Sequence, residues 1–315
     1  MQGPAYYIVG SKYVCKGGSR MKFGAKHLIT FLCFFVFLGG VGPVKAAKLI
    51  DDFDVFVKKF DSKNCQECHE EIYNEWTKSW HSRSMVSSIK GIGNFFIVGV
   101  PDEWDRKLTK AEVMKCLDCH IPQIKFATER LALEIADLVI GAKKAATQTE
   151  KEKYLSKLSK LNITCYSCHN IVATRPSLGV LGEPEEGVIY TSNDVDTEDH
   201  PTEKIPTLKR AIFCGQCHGV YAAPDGEKIM CNTLSGSYVH GYVGQGGKKT
   251  CQDCHMKKAN RGHTMPGGHD LNIVKEGIDF TADIKFFRYG VGKWDPAISV
   301  HVALENKAGH RIPDG

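Results

Sequence analysis

The sequence predicts a mainly α-helical chain with much irregular loop, gathered around prosthetic groups and turning β-rich at its C-terminal end. Three observations carry this. The motif Cys-x-x-Cys-His occurs five times in 315 residues. Between the motifs, apolar residues recur at helical spacing. From Ile298 to Leu304 they alternate with Ser299, His301 and Ala303, the pattern of a strand.

The five blocks are Cys65-Gln-Glu-Cys68-His69, Cys116-Leu-Asp-Cys119-His120, Cys165-Tyr-Ser-Cys168-His169, Cys214-Gly-Gln-Cys217-His218 and Cys251-Gln-Asp-Cys254-His255. Their starts lie 51, 49, 49 and 37 residues apart, and the stretches between them do not repeat, which excludes a solenoid. Chance would supply roughly 0.02 such motifs in a chain of this composition. In c-type haem attachment both thiols form thioethers with the haem vinyl groups, and the adjacent histidine lies under the iron. Zinc has no need of a histidine after every second cysteine. Redox chemistry of the thioredoxin kind needs one Cys-x-x-Cys, and a disulfide set would not repeat one spacing five times. The expected cofactor is therefore haem c, five copies, covalently attached. Cys231 is left over and is expected to be a buried thiol.

Net charge is +5, yet residues 1–46 hold six Lys or Arg and no Asp or Glu. Without that segment the chain is close to neutral, which removes nucleic acid as a partner. Met21, Lys22 and Lys26 precede an apolar run from Leu28 to Val41, and Val44-Lys45-Ala46 forms a cleavage site. Residues 21–46 thus read as a signal peptide, with an uncleaved anchor as the alternative. Residues 1–20 fit no targeting pattern and read as a spurious extension. A haem domain is expected over 47–285, and the start of a truncated β-rich domain over 286–315.

The helical signals come in order. Ile72, Trp76 and Trp80 form a stripe after the first block; Ile124, Ala127, Leu131, Ile135, Val139 and Ala142 mark a second helix. Thr147 with Glu150 makes a capping box ahead of Leu155, Leu158 and Leu161. Arg175 to Pro206 is rich in Pro, Gly and acid and reads as loop. With about 54 residues per haem after the leader, the haems themselves are expected to serve as the core.

The second axial ligand separates outer-sphere electron transfer from substrate binding. Seven histidines after the leader lie outside the blocks: His81, His200, His240, His263, His269, His301 and His310. If 69–81 is one helix, His81 lies roughly 18 Å along it and about 120° round from His69, so it serves a neighbouring haem. His200 lies in the acidic loop DTEDHPTEK, as a ligand or a solvated residue. His240, in GSYVHGYV, is expected to be buried. One of His263 and His269 is a ligand and the other a loop residue. His301 sits on the polar side of the last strand. His310, in the turn AGHRIPDG, serves equally as ligand or loop residue. The expected distal set is His81, His200, His240, His263 and His310, facing His69, His120, His169, His218 and His255. Met256 is too close to His255 to reach the opposite face of one iron and is read as packing.

The chain resembles the multihaem c-type cytochromes related to the tetrahaem acceptor of hydroxylamine oxidoreductase. The residues that carry the resemblance are Cys65 to His69 followed by Ile72-Tyr73, Trp76, Ser79 and His81; the run GKKTCQDCHM followed by RGHTMPGGHD; and the tail NKAGHRIPDG. It covers roughly residues 60 to 315. It implies a haem-packed, mostly helical fold with haems stacked in pairs, with His81 and His263 as distal ligands. Trp80, where relatives often have a small residue nearby, changes packing and leaves the ligand in place.

The expected function is an extracytoplasmic pentahaem relay in the periplasm or at the cell surface. Other cytochromes or a membrane quinol-oxidising complex would be its partners, and membrane association would come through them or through an uncleaved leader. Haem propionates would favour basic patches on those partners. The alternatives are an oxidoreductase acting on small nitrogen or sulfur compounds at a haem with an open axial position, and a polymerising wire subunit.

Overall fold

Helix formation starts at Asp52, whose carboxylate accepts the Val55 N–H at 2.9 Å and opens α1 (Phe53–Lys59). The computed structural model describes residues 48–173, 184–222, 227–290, 292 and 294–314. The expected leader and the extension before it lie outside the described residues. Among the described residues no helix is long and apolar enough to cross a membrane.

The first block begins in α2 (Lys63–Gln66), and α3 (Glu70–Lys78) follows His69. A single helix from 69 to 81 does not form. Ser79 turns extended (ψ 159°), and both its N–H and its hydroxyl bond back to the Trp76 carbonyl, at 2.9 and 2.7 Å. The serine thereby satisfies a helix-end carbonyl and stops the helix. His81 falls in the 3-10 turn His81–Arg83, ahead of α4 (Ser84–Asn94) and a π-wound stretch, Phe95–Glu103. The second block occupies the last turns of α5 (Lys110–His120), capped by Thr109. The 3-10 turn Pro122–Phe126 then separates Ile124 from α6 (Glu129–Lys144), so the second expected helix begins later than its stripe suggested. The capping box before α7 (Gln148–Leu158) forms: Thr147 accepts the Glu150 N–H at 3.1 Å. The Glu150 carboxylate reaches back one residue further than usual, to the Ala146 N–H at 3.0 Å.

These helices build an apolar core. Phe56, Leu117, Leu131, Ile135, Val139 and Leu158 are fully buried within one cluster. The expectation that the haems alone serve as the core is therefore corrected for this half of the chain. Here the 3.6-residue stripes bury against one another in the ordinary way.

The remainder is built differently. β1 (Ile189–Thr191) pairs in parallel with β2 (Thr202–Lys204), so the stretch read as loop carries a small two-stranded ribbon. The short helix α8 (Ala211–Gly215) enters the fourth block, followed by the antiparallel pair β3 (Val220–Ala222) and β4 (Lys228–Met230) and by α9 (Leu234–Ser237). After Ala173, only Tyr190 and Ile205 are buried apolar residues among the described residues. Past α10 (Leu271–Gly277) the chain forms a long antiparallel hairpin, β5 (Ile278–Tyr289) with β6 (Asp295–Asn306). The strand expected over 298–304 is the middle of β6, and β5 begins ahead of the boundary expected at 286. Register places Phe280, Ile284 and Phe286 opposite Leu304, Val300 and Ile298 on one apolar face; Asp283, opposite His301, lies on the polar face. Several of these apolar residues are exposed, Phe286 by 78%.

Candidate haem-binding sites

Four of the five motif histidines face a histidine from elsewhere in the chain. His69 faces His200 with ring centres 6.4 Å apart; His218 faces His81 at 6.2 Å; His169 faces His263 and His255 faces His310, both at 6.3 Å. Separations of this size occur between ordinary aromatic rings. What distinguishes these four is their composition, one motif histidine and one outside histidine each time. An iron bonded to two imidazoles at about 2.0 Å, each ring centre about 1.1 Å behind its nitrogen, would hold the centres about 6.2 Å apart. The side chains present therefore fit the group that the motif requires.

The local structure explains how each pair is brought together. The β1–β2 ribbon delivers His200, just before Thr202, to His69. It also presents the Tyr190 carbonyl 2.9 Å from His169 Nδ1. His263 is held against α3 by Glu75, whose carboxylate accepts its backbone N–H at 2.8 Å. Gly262 precedes it at φ +51°, where a Cβ would run into that carboxylate, so the close approach needs glycine. The C-terminal tail is pinned by Asp314, which accepts the Thr233 N–H and hydroxyl at 2.7 Å each. The Ser237 hydroxyl accepts the Arg311 N–H at 3.2 Å, and the tail sets His310 opposite His255. His255 Nδ1 lies 2.7 Å from the Pro266 carbonyl. An Nδ1–H donated to a carbonyl leaves the Nε2 lone pair free for a metal.

Electrostatics favour the same ligand form. Burial lowers the basicity of His169, His218, His255 and His263, and of His81 to about 4, with a neighbouring imidazole adding to the effect at each of them. Each is held as the neutral imidazole that binds metal. His81 and His200 each also keep a buried Nδ1 that lacks a hydrogen-bond partner. Among the described residues no three His, Cys, Asp or Glu side chains converge as a cage for a metal ion.

The blocks also approach one another. The Cys165 N–H donates to Ser62 at 3.1 Å, beside the first block, and the Cys65 and Cys165 thiols are hydrogen-bonded neighbours. Gln252, inside the fifth block, donates to the Leu208 and Arg210 carbonyls at 2.9 Å each, next to α8, and the Cys251 and Cys214 thiols are likewise neighbours. Gln216, inside the fourth block, reaches the Val172 carbonyl at 3.4 Å.

The second block is the exception. Among the described residues no histidine ring faces His120. Its Nδ1 lies 3.4 Å from the Ser84 carbonyl, and burial lowers its basicity. His240, expected to be buried and to be a ligand, is exposed on its π-wound turn and faces no motif histidine. His269 lies tilted against Trp80 with ring centres 4.0 Å apart, and His301 contacts Ser299 on the polar side of β6. Cys231 is exposed, correcting the expectation that it is buried, and lies close enough to Cys116 to add to the burial that pushes that thiol up to about 12.

One feature of this block has no counterpart in the sequence reading. Lys115, immediately before Cys116, is fully buried. It pairs with Glu112 at 2.8 Å and with Glu227, and sits 5.4 Å from the Trp104 ring centre; Arg106 bonds both carboxylates as well. A lysine on an amphipathic helix normally reads as solvated, and only the arrival of Glu227 from a distant loop makes its burial affordable.

Residues 64–134, which include the first two blocks, match the family model of cytochrome c554 and c-prime. No curated protein and no solved structure matches the chain. The family match agrees with the resemblance read from the motifs. It supports a c-type cytochrome with covalently bound haem and a role in electron transfer.

Proposed function

We propose that this protein is an extracytoplasmic pentahaem c-type cytochrome that relays electrons between respiratory partners. The observation that carries the reading is the set of four histidine pairs, each joining one motif histidine to one distant histidine at the separation an iron would impose. Cys65 and Cys68, and the corresponding cysteines of the other four blocks, would anchor the haems. His200, His81, His263 and His310 would close the sites of His69, His218, His169 and His255. When bound, the haems supply one-electron chemistry. The chain's part is to saturate four irons with neutral imidazoles, exclude other ligands there, and hold the blocks side by side. The apolar leader and the thioether motif, whose haem is attached outside the cytoplasm, support a periplasmic or cell-surface location. Other cytochromes or a membrane quinol-oxidising complex are the proposed partners.

The second site supports an additional reading. Without a facing histidine, His120 would hold a haem whose other axial position is free for a small nitrogen or sulfur compound. Spectroscopy of the purified holoprotein tests both readings. Four low-spin haems and one high-spin haem that binds CO are expected. Five low-spin haems in the monomer would leave the relay and remove the open site. A fifth haem that turns low-spin only on self-association would favour a polymerising subunit that borrows its ligand from the next copy.

A further inference from the structure

The carbonyl contact of His120 is longer than those of two other motif histidines, His169 and His255. The ring nitrogens of His255 and His169 lie 2.7 and 2.9 Å from backbone carbonyls, whereas His120 Nδ1 lies 3.4 Å from the carbonyl of Ser84. That carbonyl already accepts the Ser87 hydroxyl at 3.2 Å, in addition to standing in the first turn of α4. Ser84 also uses its side chain. The buried hydroxyl donates to the His120 carbonyl at 2.7 Å and accepts the Ile163 N–H at 3.1 Å. The same Ile163 N–H reaches the His81 carbonyl at 3.1 Å, and the Ser84 N–H bonds that carbonyl too. One serine thus grips the proximal histidine of the second site while attached to the turn that carries the distal histidine of the fourth.

We propose that Ser84 is the positioning residue of the second site: its hydroxyl sets the height and tilt of His120, and its carbonyl, shared with Ser87, holds the imidazole N–H only weakly. The inference rests on the reading of His120 as the axial ligand of a haem with an open face. Outer-sphere hydrogen bonds to a ligating histidine raise its donor strength, so a strong bond stabilises oxidised iron and a weak one leaves the reduced form more accessible. The weak bond occurs at the site without a facing histidine, where ligand binding to reduced iron would be useful. Ser84 also gives that site a mechanical link to the His81–His218 pair.

Two substitutions should act in opposite directions. Ser87→Ala, at an exposed position, frees the Ser84 carbonyl to accept the His120 N–H more strongly. The iron–histidine stretching frequency of the five-coordinate reduced haem should rise, and the midpoint potential of that haem alone should fall. Ser84→Ala removes the grip on the His120 backbone. The same frequency should fall and broaden, with a several-fold change in CO affinity, and Ser84→Thr, which keeps a hydroxyl, should restore much of the native signature. The measurements are resonance Raman spectroscopy and redox titration of the holoprotein. A five-coordinate haem whose signature neither substitution moves would overturn the inference alone. Equal shifts at all five haems would also overturn it, since they would reveal a general structural effect. Absence of any five-coordinate haem would overturn the open-face reading beneath it.

Discussion

Up to Ala173 the chain buries Phe56, Leu131, Ile135 and Leu158 completely, in a cluster contributed by α1 and α4 to α7. Beyond residue 183, Tyr190 and Ile205 are the only buried apolar residues among the described residues, and Phe286 stands 78% exposed. The two regions nonetheless share the same cofactor motif. The difference teaches that a haem-binding chain can be held together in two ways. In the first region apolar side chains leave water for one another, and the motifs ride on preformed helices, as the second does at the end of α5. In the second region there is too little apolar burial to offset the conformational entropy of ordering the backbone. There the ordering would fall to the histidine pairs, which would tie His200 to His69, His218 to His81, His263 to His169 and His310 to His255 through the haems they would bind.

The largest expected effect breaks the comparison directly. A protein produced without haem attachment should retain protected amides in α4 to α7 and lose protection over 184–314, as read by hydrogen exchange. Uniform protection across both regions would refute the distinction. Leu131→Ala should cost about 2–5 kcal/mol in chemical denaturation, by leaving a cavity in the first core, while the haem spectrum stays native. Phe286→Ala, on the exposed hairpin face, should stay within about 0.5 kcal/mol. Glu227→Gln should destabilise by about 1–3 kcal/mol, because buried Lys115 keeps Glu112 but loses its second carboxylate; a neutral result would show that Glu112 and Arg106 already balance the site. Glu150→Ala should cost about 0.5–1 kcal/mol, through the cap of α7, and should leave the second region untouched.

Much of this was legible in the chain. Motif spacing alone singled out ten cysteines and the five histidines that follow them, because thioether chemistry demands those residues in that order. His81, His200, His263 and His310 stood out as candidate partners, and the structure sets each of them opposite a motif histidine. His240 misled because its aromatic neighbours suggested burial, whereas Tyr238 and Tyr242 stack on each other and leave the imidazole in solvent. The break at Ser79 escaped notice since Ile72, Trp76 and Trp80 keep a helical period across a serine that has already left the helix. Lys115 escaped notice because its second carboxylate comes from Glu227, more than a hundred residues away.

The sequence by itself determined the cofactor chemistry, the helical stripes of the first region and the apolar alternation of β6, all of which are local patterns written within a few turns of chain. Only the tertiary structure decided which histidine faces which. His263 follows the fifth block yet faces His169 of the third, and His81 follows the first yet faces His218 of the fourth. Such pairings depend on how distant segments cross, through contacts such as Glu75 to the His263 backbone and Ser84 to His120. No local period encodes them, because a ligand needs only an imidazole and the fold alone supplies the second one.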